Sequence, residues 1–139
     1  MNQQQINKYF DKYWLLNRKI QTCESELITL KEITNSGISG HSFDGIGSTL
    51  SSGLDNKLSK IESLENKLSK LYLKKEKMKQ RYIKDFNKLS LIDYEIILTL
   101  FYLDEMPLKY IASRLDKSLG YVKKLKQDAI NELFLNIAK

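Results

Sequence analysis

The chain has 139 residues, with 23 lysines and arginines against 17 aspartates and glutamates, a formal net charge of +6, one cysteine and one histidine. That length suits one domain or a small domain with an extension, and a lone Cys23 excludes an internal disulfide and makes a cysteine-based metal site improbable. No apolar run approaches the roughly 20 residues of a membrane span. The opening MNQQQINKYF lacks the charged and apolar regions of a secretory signal, so the expected location is cytoplasmic, with no membrane partner. A single proline and few glycines point to an all-α chain, and the basic balance favours a polyanionic partner.

Residues Ile6, Tyr9, Tyr13, Leu16, Ile20, Cys23, Leu27 and Leu30 alternate spacings of three and four, the seam of a coiled coil. Phe10 and Trp14 widen the stripe near its start, so that end of the helix is expected to pack against more than one partner helix. Aromatic residues at this spacing are usually core rather than a ligand pocket.

Five of the six glycines fall between Asn35 and Gly53, among many serines, which reads as a flexible loop over residues 35–53. It holds His41 and Asp44 without the further ligands a metal site needs. Its glycines do not end in the Gly-Lys-Ser/Thr of a phosphate loop.

From Leu54 to about Leu89 a second long helix carries Leu54, Ile61, Leu64, Leu68, Leu71, Met78 and Tyr82 on heptad spacing. Two such helices joined by a loop predict an antiparallel hairpin, paired within one chain or across two. The end of the second helix is basic: Lys74, Lys75, Lys77, Lys79, Arg81, Lys84 and Lys88 against Glu76 and Asp85. Those side chains suit DNA phosphates, or equally a solvated helix face.

Ser90-Leu91-Ile92-Asp93 resembles a capping box with Asp in place of Glu. The run LIDYEIILTLFYL that follows reads as the buried central helix of a small bundle. Pro107 suits a first helical position. Leu108, Ile111, Ala112 and Leu115 then form one apolar face, Asp116 fits a left-handed turn, and Ser118 fits the N-cap of another helix. Val122, Leu125, Ala129, Ile130 and Leu133 recur at core spacing, and Phe134 to Lys139 extend the helix with apolar surface that calls for cover. A short helix, a turn and a longer helix make the pattern of a helix-turn-helix.

With Val122, Leu125 and Ala129 inward, Gly120, Tyr121, Lys123, Lys124 and Gln127 face outward or flank. Tyr121, Lys124 and Gln127 are the base-reading candidates. Lys109, Arg114, Lys117, Lys123 and Lys126 suit phosphates, and Ser118 and Gly120 lie at the approach to the surface. The competing reading is an ordinary helical hairpin with a solvated basic face.

The stretch LSLIDYEIILTLFYLDEMPLKYIASRLDKSLGYVKKLKQDAINEL resembles region 4 of bacterial sigma factors, through Phe101-Tyr102, Ile111-Ala112, Ser118, Val122, Ala129 and Leu133. With the N-terminal helix, the Gly/Ser loop and the charged second helix, the whole resembles small phage regulators of the ArpU and RinA type. The resemblance implies binding to a promoter on double-stranded DNA and activation of late phage genes with host RNA polymerase. Asp116 stands where such motifs often carry Gly, and Asp128 where they often carry Arg.

The sequence is therefore read as a non-enzymatic DNA-binding regulator without cofactors, expected to form a homodimer in the bacterial cytoplasm. Its expected domains are a helical hairpin over 1–89 and a helix-turn-helix unit over 90–139. The rival readings are a small terminase subunit for DNA packaging and a protein-interaction module that grips polymerase or a regulator without DNA.

Overall fold

A computed structural model describes residues 3–39 and 47–139. All regular structure among them is helical: α1 Gln3–Ser39, α2 Gly47–Phe86, α3 Ile92–Leu98, a π-helical segment Thr99–Leu103, α4 Leu108–Leu115 and α5 Leu119–Ala138. The stretch expected to be a loop over 35–53 is helical through Ser39 and again from Gly47. His41, Phe43, Asp44 and Ile46 lie outside the described residues. No helix among those described is long and apolar enough to cross a membrane.

The chain divides into two compact units, and the boundary is not at residue 90. One unit is Leu15–Lys75; the other joins Met1–Trp14 to Glu76–Lys139. The continuous heptads of α1 and α2 conceal this division, because the same spacing serves two different sets of partners.

In the Leu15–Lys75 unit the two long helices run antiparallel. Cys23, Leu27 and Leu64 are buried together, with Leu30, Ile61, Leu68 and Leu71 packed around them. Cys23 behaves here as a small apolar group, its thiol 3.6 Å from the Leu64 carbonyl. Tyr72 donates to Glu24, and Lys31 pairs with Glu65 at 3.1 Å, so residues 24 and 31 meet 72 and 65 in opposite order.

The other unit holds the larger core. Phe10 of α1 is fully buried, stacked on Tyr102 with ring centroids 4.6 Å apart and an interplanar angle of 1°. Tyr82 and Phe86 of α2 lie against it, and Trp14 stacks near both rings, 5.5 Å from Phe10 and 6.4 Å from Tyr102. Ile97, Leu98, Leu103, Ile111, Val122, Ala129, Ile130 and Leu133 complete the interior. The polar edges of these rings find partners, as buried tyrosine and tryptophan require. Tyr82 donates to the Tyr9 carbonyl (2.8 Å), Tyr9 donates to Asp85 (2.7 Å), and the Trp14 indole N–H donates to the Tyr102 carbonyl (2.8 Å). The expectation that the start of α1 meets several helices is met here.

Two local expectations need correction. The capping box at Ser90 does not form: α3 starts at Ile92 with Leu91 as N-cap and no side-chain cap, and the Ser90 N–H donates to Glu132 of α5 instead (3.0 Å). The apolar run is not a buried central helix throughout. Leu91 and Ile92 are exposed, and the second half is the π segment, where Asp104 N–H donates to the Thr99 carbonyl at 2.9 Å. In a π turn residues five apart come together; Ile97 with Tyr102 and Leu98 with Leu103 are such pairs, and all four are buried. The tail does extend α5, to Ala138, and leaves Leu135 and Ile137 exposed as expected, while Phe134 is half-buried with its ring 5.6 Å from Tyr9.

Replacing Phe10 with alanine removes the ring at the centre of this core and is expected to lower stability by about 3–5 kcal/mol. Amide-exchange protection in α4 and α5 should fall with it; full protection there would show that those helices hold without the aromatic cluster. The same core fixes an alkaline limit. Burial raises Tyr102 from 10.0 to about 12, and burial with the nearby Asp104 and Glu105 raises Tyr13 to about 12. The folded state keeps protons that the unfolded chain loses above pH 10, so stability is full below pH 10 and declines between pH 10 and 12. Melting temperatures at pH 9, 10 and 11 should fall together with the appearance of the last tyrosinate absorbance.

Candidate nucleic-acid interface

The Met1–Trp14 and Glu76–Lys139 unit contains the helix-turn-helix, and its turn is defined by backbone chemistry. Pro107 has φ −59° and ψ 144° and acts as N-cap of α4 rather than its first helical residue. Its fixed φ suits this position, and its carbonyl accepts from the Tyr110 and Ile111 N–H groups at 3.0 and 3.1 Å. Helix α4 ends on Asp116, which is left-handed with φ 55° and ψ 47°. The Lys117 N–H donates to the Ala112 carbonyl (2.9 Å), and the Asp116 N–H donates to the Ser113 carbonyl (3.2 Å). This pair of bonds is a Schellman motif, in which glycine is the usual left-handed residue. Asp tolerates the conformation at some cost. Two residues later Ser118, in extended conformation, accepts the Tyr121 N–H on its hydroxyl at 3.1 Å and starts α5.

With α5 started there, its register is set. Val122, Leu125, Ala129, Ile130 and Leu133 are buried. Gly120, Lys124, Gln127 and Asn131 fall within an arc of about 60° on the opposite side, and all four are exposed. Tyr121 and Lys123 flank them on either side, also exposed. The outward face expected from sequence is thus present, with Asn131 as a member the sequence reading missed. Its signal was its spacing of four from Gln127, whose amide donates to the Asn131 side chain at 3.2 Å. A Cβ added at Gly120 would meet nothing within 4 Å, so nothing inside the protein requires glycine there.

Lys126 is a correction. The inward register that holds Val122, Ala129 and Leu133 also includes position 126. The side chain is half-buried, and its ammonium lies 4.7 Å from the centre of the Phe101 ring. A lysine can run its stem along apolar surface and end over an aromatic face in this way. It is therefore part of the packing between α5 and the π segment, not of the outward basic set.

The remaining cations are exposed. Lys117 precedes the cap and places its ammonium 5.6 Å from the Tyr121 ring centre, which brings two of the expected site residues together. Lys109 and Arg114 are exposed on α4, beside Tyr110, which is 66% exposed. Among the described residues no ion pair neutralises Lys109, Arg114, Lys117, Lys123 or Lys124. Along α4, the turn and the outer face of α5 there are thus a capped helix start, an exposed tyrosine, an exposed amide pair and several cations without ion pairs. Such a set can bond base edges through Lys124 and Gln127 and phosphates through the flanking cations. Among the described residues no group of three or more His, Cys, Asp or Glu is placed to hold a metal ion. Compared with protein-family models, curated proteins and solved structures, the chain matches none.

The turn chemistry gives opposite expectations at its two ends. Asp116→Gly removes a left-handed non-glycine residue and should raise stability by roughly 1 kcal/mol. Ser118→Ala removes the cap and should lower stability by about 1 kcal/mol. Urea denaturation of the two variants tests both; a destabilised Asp116→Gly protein would mean that the aspartate side chain supports the turn beyond its backbone.

Proposed function

We propose that this chain is a sequence-specific DNA-binding regulator of transcription. The observation that carries the reading is the start of α5: a Ser118-capped helix behind a left-handed turn, with Lys124, Gln127 and Asn131 exposed on one face. In this reading α5 enters a major groove by its N-terminal half, as the second helix of a helix-turn-helix does. Tyr121, Lys124 and Gln127 meet base edges, and Asn131 orients the Gln127 amide. Lys109, Arg114, Lys117 and Lys123 hold phosphates, Ser118 fixes the helix start, and Gly120 allows close approach of the backbone. The reading involves no catalytic step. The likeness to sigma region 4 and to phage regulators of the ArpU and RinA type supports a narrower proposal: activation of phage or prophage late genes together with host RNA polymerase, by a homodimer in the bacterial cytoplasm.

The test is binding to upstream fragments of the source genome against scrambled DNA over a salt series. A specific reader should hold one fragment on the order of a thousandfold or more tighter than scrambled DNA. Lys124→Ala with Gln127→Ala should remove that preference and leave the helical circular-dichroism signal unchanged. Preference retained by the double variant would take both residues off the reading face, and no binding of the parent protein at low salt would end the DNA reading.

A further inference from the structure

From Glu76 to Lys88 the chain carries two acids and five bases: Glu76 and Asp85 against Lys77, Lys79, Arg81, Lys84 and Lys88. Both acids and one base are engaged within their own unit. Glu76 accepts the Gln80 amide at 3.1 Å, Asp85 accepts the Tyr9 hydroxyl at 2.7 Å, and Lys79 pairs with Asp104 at 3.4 Å. The other four bases are all exposed, and none makes an ion pair among the described residues. Three of them, Lys77, Arg81 and Lys84, lie on α2 at intervals of four and three, whereas Lys88 falls in the turn after the helix end at Phe86. At that spacing the three fall within an arc of about 60°, on the side of α2 away from buried Tyr82 and Phe86.

This arrangement works against the helix that bears it. Like charges three and four residues apart repel and destabilise a helix, whereas a surface helix gains from alternating signs at the same spacing. Here each neighbour along the row has the same sign, and the acids that might intervene are turned to other partners. Such a row is relieved by an external anion with regularly spaced charges. Three cations over seven residue steps extend roughly 10 Å, the length of about three phosphates along one strand of a duplex. The lysine-rich composition suits phosphates, which need positive charge without fixed geometry.

We propose that Lys77, Arg81 and Lys84 form a second DNA contact, made to the phosphate backbone without regard to sequence and separate from the reading face of α5. This rests on the DNA reading above. The row supplies affinity, and the α5 face supplies choice of site.

The experiment compares salt dependence. The variant K77Q/R81Q/K84Q keeps good helix formers at exposed positions. A control, K8Q/K12Q/K19Q, removes the same charge from other exposed sites. Binding of each to the preferred fragment and to scrambled DNA is measured over a salt series. The row variant should show a slope of log affinity against log salt shallower by about 3, close to 0.9 per lost phosphate contact, with its preference between the two DNAs unchanged. The control should keep the parent slope. A parent-like slope in the row variant overturns the proposal, and so does an equal loss of slope in the control, which would reduce the effect to net charge. In either case the DNA reading stands if Lys124→Ala with Gln127→Ala still removes site preference. Failure of the parent protein to bind any DNA removes both.

Discussion

The ring of Phe10 has no solvent exposure and lies flat on Tyr102, and around that pair residues from both ends of the sequence share one interior. The stretch from 90 to 139 alone is close to the size below which a chain struggles to bury enough surface to fold. The first turns of α1 and the last turns of α2 supply what it lacks: Phe10, Tyr13, Tyr82 and Phe86, each a large side chain removed from water. The helix-turn-helix therefore has its footing outside itself. Its turn is set locally, by the Schellman bonds at Asp116 and the cap at Ser118, but the helices on either side of the turn are held by aromatic packing against segments distant in sequence.

The π segment is where these two requirements meet. A regular α-helix from Ile92 onward would spread Ile97, Leu98, Tyr102 and Leu103 around much of its circumference. The wider turn at Thr99–Leu103 gathers them to one side. It also leaves the Tyr102 carbonyl available to the Trp14 indole, which closes the polar account at that helix end. Beside it, Lys126 covers Phe101, so a charged residue seals the edge of the core without entering it.

What could be read from sequence was whatever short-range periodicity or backbone preference decides. The seam from Ile6 to Leu27, the left-handed Asp116, the Ser118 cap and the inward set of α5 all follow from spacing or from the φ/ψ range of one residue. What could not be read depended on distant partners. Ser90 has the composition of a cap, but its N–H is claimed by Glu132, and no local pattern announces that. The register of α5 already placed Lys126 on the inner face; only the position of Phe101 shows why a lysine is tolerated there. The run LIDYEIILTLFYL is apolar nearly all round, so its periodicity could not reveal a π turn. The division at Trp14 and Glu76 was hidden because heptads continue across it, and spacing records that a face is buried without recording by what.

That division sets the order in which the protein is completed. The Leu15–Lys75 unit is a neighbouring pair of helices and can close as soon as both have left the ribosome. Trp14 and its acceptor at Tyr102 lie 88 residues apart, so the first turns of α1 are made early and packed late. Throughout that interval Phe10, Tyr13 and Trp14 stand in water, an aromatic surface of the kind that aggregates or engages chaperones. The rings that hold the finished core together are thus the last to be covered.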